Sequence, residues 1–416
     1  MTADRLEALQ PEIAAALAEG VERLSAAGPG PSDGSFAPEH PRALVAAGLH
    51  RLVVPAARGG FGAGMREMTL VQAALGAVDG SAALGLAMQH HVVGGALQSA
   101  ARSWPLPLLE ELLDGIVRDG SLVDTAAAEE MAGSPQRGNR GDTTAAADPD
   151  GTFRISGEKA WVTWLPALRW VLLSAALDEG IGIFLLPLSL PGVEIDGRFA
   201  SLGLRSSGSG HLRLHEVCLP ASRLVLRRGA QASDPRGPAP LAWFGMAVAA
   251  TYLGIGEGAR AWVARYARDR RPGDAPAGVA TIPTVAVRLG RLDAALRAAR
   301  IVVLETARRW DATPAAESVA RQALLDEVAL AKVTATNAAI AATDDALRIA
   351  GGPGLADGPL ERAFRDARAG LVHPPLDDLA YQGFSRRLVD GLGAARSPDE
   401  PGSTGRAAMI SSQLEP

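Results

Sequence analysis

Apolar residues recur at three- and four-residue spacing through the first 120 positions, the mark of helices that bury one face. Leu6, Leu9, Ile13, Ala16 and Leu17 make one such stripe. A second runs from Ala43 to Leu49, with Gly48 and Pro55 punctuating its end. Met68 to Ala77 continues the pattern. Ser81 to Gln98 is apolar almost all round, which predicts a helix buried on every side. Within it His90 and His91 stand about 100° apart on the helix, so only one of them can face a given site. The other reads as a hydrogen-bonded helix histidine.

Near Ser121 the period changes. Short runs such as Thr152-Phe-Arg-Ile-Ser, Trp170-Val-Leu-Leu-Ser, Ile183-Phe-Leu-Leu-Pro and His211-Leu-Arg-Leu-His are separated by turns such as Pro149-Asp150-Gly151. This predicts antiparallel strands and a compact β-domain over 121–226. Arg227 to Pro240 reads as a linker. Four long Ala- and Leu-rich helices follow, over Leu241–Arg270, Thr284–Trp310, Ala315–Arg348 and Asp357–Leu371, with a last one from Asp378 to about Leu392. They predict an up-and-down bundle. The expected organisation is therefore a helical domain over 1–120, a β-domain over 121–226, a helical bundle over 240–395, and a polar tail over 396–416 expected to be disordered.

Composition narrows the function classes. At 416 residues the chain exceeds one comfortable core, in keeping with several domains. A net charge of −5 gives no electrostatic case for nucleic acid or an anionic membrane. The lone Cys218 excludes an intramolecular disulfide, fits a reducing cytoplasm, and is expected to be a small buried hydrophobe. The N-terminus carries acids where a signal peptide would carry a basic flank, and no run approaches the roughly 20 uninterrupted apolar residues of a membrane span. A soluble cytoplasmic protein without a metal site is expected.

The stretch from Gly351 to Pro375 is more specific. Gly351-Gly352-Pro-Gly, then Pro359-Leu-Glu-Arg, then Phe364-Arg-Asp-Ala-Arg368 resembles the C-terminal signature of the acyl-CoA dehydrogenase superfamily. Leu49-His-Arg-Leu-Val-Val-Pro55 with Gly59-Gly60, Ser201-Leu-Gly-Leu-Arg-Ser-Ser-Gly-Ser-Gly210, Leu214-His-Glu-Val-Cys-Leu-Pro220, Gly254-Ile-Gly-Glu-Gly-Ala and Tyr266-Ala-Arg-Asp-Arg270 resemble its other segments. The order of helical domain, β-domain and bundle matches that family end to end. The resemblance implies the acyl-CoA dehydrogenase fold, a flavin, and a homotetramer or homodimer with its flavin site between subunits.

It also implies which residues hold the cofactor. Ala128-Glu-Glu-Met-Ala-Gly-Ser134 resembles the family's phosphate loop, placing Gly133 and Ser134 on the flavin phosphate. Gly157-Glu-Lys-Ala-Trp-Val-Thr163 resembles the strand that lays Trp161 against the flavin face and Thr163 at its reactive edge. Trp170 reads as a core aromatic and Trp164 is left open. Arg270, Arg348, Gly351 and Gly352 fall where the family contacts the adenylate half of FAD, and Arg205 and Ser206 where a substrate contact is implied. Departures matter too. Ala128 replaces a Thr in the flavin ring pocket, Gly273 a Phe, and Pro283 and Arg348 each a Gln, so both FAD and FMN stay open.

In the family the signature continues into Tyr-Glu-Gly-Thr, whose Glu is the usual catalytic base. Here His373 and Pro374 stand at the Tyr and Glu positions. The other base position known in relatives falls at Ala247, and Leu241 to Leu253 contains no acid; Glu257 is expected to pair with Arg260 or to face solvent. A branch resembling dibenzothiophene monooxygenase and the nitrososynthases carries a His-Pro segment, a flavin-edge hydroxyl and an N-terminal-helix histidine instead. That reading makes His373, Thr163 and His91 (or His90) the catalytic candidates, with reduced flavin supplied by a partner reductase and a small organic substrate. An acyl-CoA dehydrogenase with another base, and a non-catalytic homologue that binds flavin or an acyl ligand, are the alternatives.

Overall fold

The computed structural model describes residues 9–99, 103–130, 141–229, 232, 234–273 and 276–394. The expected phosphate loop at Gly133 and Ser134 and the tail over 396–416 lie outside them.

Among the described residues, five α-helices precede the sheet: α1 (Pro11–Ala27), α2 (Glu39–Ala46), α3 (Met65–Gly76), α4 (Gly80–Leu97) and α5 (Leu106–Asp119). Asp79 caps α4 by accepting from the Ala82 amide at 2.8 Å. Every residue of α4 from Gly80 to Ala96 is buried, as its all-round apolarity requires.

Among the described residues eight strands follow: β1 (Val123–Ala126), β2 (Thr144–Ala147), β3 (Thr152–Val162), β4 (Trp170–Ala176), β5 (Ile181–Pro187), β6 (Val193–Asp196), β7 (Gly210–Pro220) and β8 (Leu224–Arg228). They run in the order β6-β7-β3-β2-β4-β5-β8. Most pairs are antiparallel, but β1 lies parallel to β4, with Val123 opposite Trp170, and β2 meets β4 in parallel at Thr144. The β2–β3 pair lies between β1 and β4 in sequence and provides the long connection that parallel pairing needs. Phe153, Ile155, Leu173, Phe184 and Val217 form the core of this domain. Cys218 is exposed, contrary to expectation, because it alternates with the inward Val217 and Leu219 on β7.

The bundle consists of α6 (Ala239–Asp269), α7 (Pro283–Ala312), α8 (Ser318–Ala350), α9 (Pro359–Arg368) and α10 (Asp377–Ala394). The single helix expected over 357–371 divides into α9 and a tight turn, Ala369–Leu371. Pro359 can only open a helix, and α9 begins there. By length and composition α6 could cross a membrane, yet the apolar part of it is mostly buried inside the protein. Its Gly254-Ile-Gly-Glu-Gly run lets it approach α3 closely: a Cβ on Gly254 would lie 2.3 Å from the Ala73 carbonyl oxygen. Polar links join the outer helices to the bundle. Asp311 of α7 accepts the Met65 and Arg66 amides at the start of α3, each at 2.8 Å. The Gln98 side-chain oxygen accepts from Trp310 at 2.8 Å, Trp243 at 3.1 Å and Arg321 at 3.2 Å.

Candidate active site

The end of β3 departs from regular pairing with β7 between Lys159 and Val162. Trp161 (φ +59°) and Trp164 (φ +56°) sit in the left-handed region there. For bulky residues that conformation costs about 1–2 kcal/mol each, so the surroundings must impose it. Trp164 is buried against α4, where a Cβ on Gly85 would meet its ring at 2.0 Å. Trp170 is buried too, as expected of a core aromatic. Trp161 is 48% exposed.

Beside Trp161 runs a chain of polar groups drawn from three segments. The Thr163 amide donates to Asp124 of β1 at 2.8 Å. The Thr163 hydroxyl lies 3.1 Å from that of Ser209, and Ser209 lies 2.8 Å from Ser207. Burial pushes the Asp124 carboxyl up to about 7. The two flanks of the segment carrying Gly133 and Ser134 are tied together: buried Glu129 accepts from Lys159 at 2.5 Å and from the Thr143 amide at 3.1 Å. Glu129 and Lys159 belong to the two stretches expected to hold the flavin, and here they pair with each other.

The loop before β7 is fastened to α9. Asp366 accepts the Leu204 amide at 2.6 Å, and burial raises its carboxyl to about 7. Arg205 donates to the carbonyls of Ser201 at 2.6 Å and Ser32 at 2.9 Å, and Ser206 is buried against Gly30. Both residues thus hold the loop in place.

His373 meets a residue that the sequence reading passed over. Its Nδ1 lies 2.6 Å from the hydroxyl of Tyr252, which is fully buried on α6. Burial raises the Tyr252 phenol well above its usual range, so it stays un-ionised. Burial and the nearby Lys332 ammonium lower His373 to about 4, leaving a neutral imidazole at physiological pH. Lys332, buried on α8, donates to the Gly370 carbonyl at 3.0 Å and to Asp377 at 3.3 Å; Asn337 also holds Asp377, at 2.7 Å. These anchors stand on either side of His373.

The two adjacent histidines separate as their helical phase demands. His90 bonds the Leu49 carbonyl at 2.9 Å and is structural. His91 packs edge-on against Phe244, ring centroids 5.2 Å apart, and neither ring nitrogen has a hydrogen-bond partner among the described residues. Burial and then the charge of Arg236 lower it to about 3; the Pro240 carbonyl opposes this weakly, short of a hydrogen bond. Phe244 and Tyr252 are eight residues apart on α6, a rise of about 12 Å. His91 and His373 therefore flank two levels of one helix and do not form a pair.

Arg270, Arg348, Gly351 and Gly352 are exposed and gather at one end of the bundle, where the Tyr266 hydroxyl donates to the Ala350 carbonyl at 3.1 Å. Glu257 is buried and pairs with Arg300 at 3.2 Å, while Arg260 pairs with Asp293, so the expected Glu257–Arg260 pair does not form. The sequence reading missed Tyr252, Asp124, Ser207, Ser209, Asp366 and Lys332. A lone lysine in the run Ala329-Leu-Ala-Lys-Val, and an acid inside the strand Val123-Asp-Thr-Ala, were the available signals for two of them.

Comparison with known proteins identifies the family. Residues 125–217 match the acyl-CoA dehydrogenase middle domain and 246–377 the acyl-CoA dehydrogenase C-terminal domain. YdbM of Bacillus subtilis, whose name assigns it to the acyl-CoA dehydrogenases, is 33% identical over 83% of this chain and 88% of its own. The amino sugar nitrososynthase DnmZ of Streptomyces peucetius is 28% identical over 79% and 80%. The structure of butyryl-CoA dehydrogenase from Megasphaera elsdenii superposes with a TM-score of 0.80 at 21% identity, covering 94% of this chain and 99% of that one. The helical domain, the sheet and the bundle are those of the acyl-CoA dehydrogenase fold, and the chain belongs to the acyl-CoA dehydrogenase superfamily as a flavin-dependent oxidoreductase.

Proposed function

We propose that the chain is the oxygenase half of a two-component flavin monooxygenase. Reduced flavin from a separate reductase, O2 and a small organic substrate would give oxidised flavin, the oxygenated substrate and water. The observation that carries this reading is Tyr252 bonded to His373 beside Pro374, where a carboxylate base would otherwise stand. A neutral imidazole can donate to an oxygen being transferred.

Bound flavin supplies the two electrons that O2 requires. Trp161, half open to solvent and held in a strained backbone, suits a flat ring, and the Thr163–Ser209–Ser207 hydroxyls suit a ring edge rich in acceptors. Gly273 and Pro283 in place of a Phe and a Gln favour the mononucleotide. Arg270 lies 18 residues from Tyr252 along α6, about 27 Å, so the group at that end would serve the site of a second copy. This supports a homodimer or homotetramer.

The nitrososynthase relative favours oxygen chemistry, whereas the name of the Bacillus relative favours dehydrogenation of an acyl thioester. The second reading needs a base. The buried carboxyls of this region, Asp366 and Asp124, are spent on the Leu204 and Thr163 amides.

Two measurements decide. The protein mixed with chemically reduced FMN and O2 should delay the return of oxidised flavin absorbance compared with free flavin. Under anaerobic conditions, oxidised flavin on the protein should stay yellow when acyl-CoAs of several chain lengths are added. Bleaching by an acyl-CoA would overturn the proposal.

A further inference from the structure

We propose that Tyr252 is a positioning residue that fixes His373 in the tautomer carrying its proton on Nε2. The proposal rests on the reading above that His373 acts as a hydrogen-bond donor. The Tyr252 hydroxyl is enclosed within α6 and its surroundings, and the one acceptor it has among the described residues is His373 Nδ1, at 2.6 Å. A buried hydroxyl that finds no acceptor is left with an uncompensated desolvation cost, which strongly favours donation. Nδ1 must then be bare, and the single proton of a neutral imidazole falls to Nε2. Nε2 has no partner among the described residues, so its N–H is free to donate.

The consequence reaches the type of reaction. An imidazole with Nε2–H presents a donor to whatever faces that nitrogen. The opposite tautomer would present a lone pair there, which is what proton abstraction needs. Tyr252 thus selects between a site that assists oxygen transfer and one that removes a proton. The anchors on either side, Gly370 and Asp377 on Lys332, hold the segment so that the choice persists.

The test uses the full chain labelled with 15N-histidine, its His373 signals assigned by their loss in His373→Gln. In the unsubstituted protein at neutral pH, Nδ1 should show the shift of a bare nitrogen and Nε2 that of a protonated one. In Tyr252→Phe the two shifts should converge as both tautomers become populated. Protonated Nδ1 in the unsubstituted protein would overturn the inference, and that spectrum does not depend on how the variant folds. Unchanged shifts in a folded Tyr252→Phe would overturn it as well. A second arm measures hydrogen peroxide released per O2 consumed with reduced FMN, expected to rise several-fold in Tyr252→Phe. If the tautomer is confirmed but acyl-CoA bleaches the flavin, the monooxygenase reading fails alone. If oxygen transfer is confirmed with Nδ1 protonated, the tautomer assignment fails alone.

Discussion

Lys332 and Asp377 lie 3.3 Å apart, the lysine wholly buried, and the segment that ends at this contact carries His373. A buried ammonium near an imidazole disfavours a second positive charge. Lys332→Met should therefore raise the His373 pKa above about 4, leaving the larger effect of burial in place. An NMR titration of that histidine reads the change; a value that stays put or falls would contradict the electrostatic account.

Trp161 is the aromatic left open beside the hydroxyl chain. Trp161→Ala should weaken flavin binding about tenfold, the loss of roughly 1.4 kcal/mol of stacking. Far-UV circular dichroism should be unchanged. Titration with FMN and FAD showing unaltered affinity would move the flavin away from β3.

Gln98 holds three donors with one oxygen. Gln98→Leu leaves the two indole N–H groups without that acceptor and removes one bond of Arg321. At about 1–3 kcal/mol for each buried donor left unpaired, a loss near 3 kcal/mol is expected in urea unfolding. A loss under 1 kcal/mol would mean that water takes over the role.

Two glycines in helix interiors should respond with opposite signs. Gly254→Ala forces α3 and α6 apart, since its Cβ would lie 2.3 Å from the Ala73 oxygen, and should cost about 2 kcal/mol. Gly290 on α7 is exposed with open space around it, so Gly290→Ala should stabilise by about 0.5–1 kcal/mol. Thermal melts of both variants test the close approach directly.

Acid should destabilise the fold before the ordinary carboxylates titrate. Burial lowers His50, His90 and His373 to about 4 and His91 to about 3. Below pH 6.5 the unfolded chain takes up protons that these folded imidazoles refuse, so stability falls with pH. Asp124 and Asp366, raised to about 7, work in the opposite sense, as does the raised Asp311. Four imidazoles outweigh them through the middle of the window between pH 6.5 and about 4, so the unfolded chain takes up more protons and stability falls as pH is lowered from about 6 toward 4. Urea midpoints that hold steady across that window would refute the burial assigned to these histidines.

Much of the architecture was legible because period and burial agree. Ser81 to Gln98 read as an all-round apolar helix, and α4 is buried from Gly80 to Ala96. The parallel β1–β4 pair was not legible, since a four-residue strand carries no signal for the direction of a partner more than forty residues on. Site residues divide in the same way. His373 stood out because a histidine and a proline interrupt a recognisable run. Tyr252 did not, for in the sequence it is one more large residue in a buried helix, and its hydroxyl acquires meaning only when the 370–377 segment folds back on α6. Arg205 shows the converse: a cation in a conspicuous motif whose donors go to two loop carbonyls.

The carboxylate of Asp311 closing the first turn of α3 spans 246 positions of sequence. Recombination between distant relatives anywhere from residue 67 to 310 would part the two halves of that contact. A chimera inheriting α3 from one parent and an α7 without the acid from another would leave the two amides at that helix start without their side-chain acceptor. Viable hybrids should carry this pair from a single parent, even when their β-domains come from another.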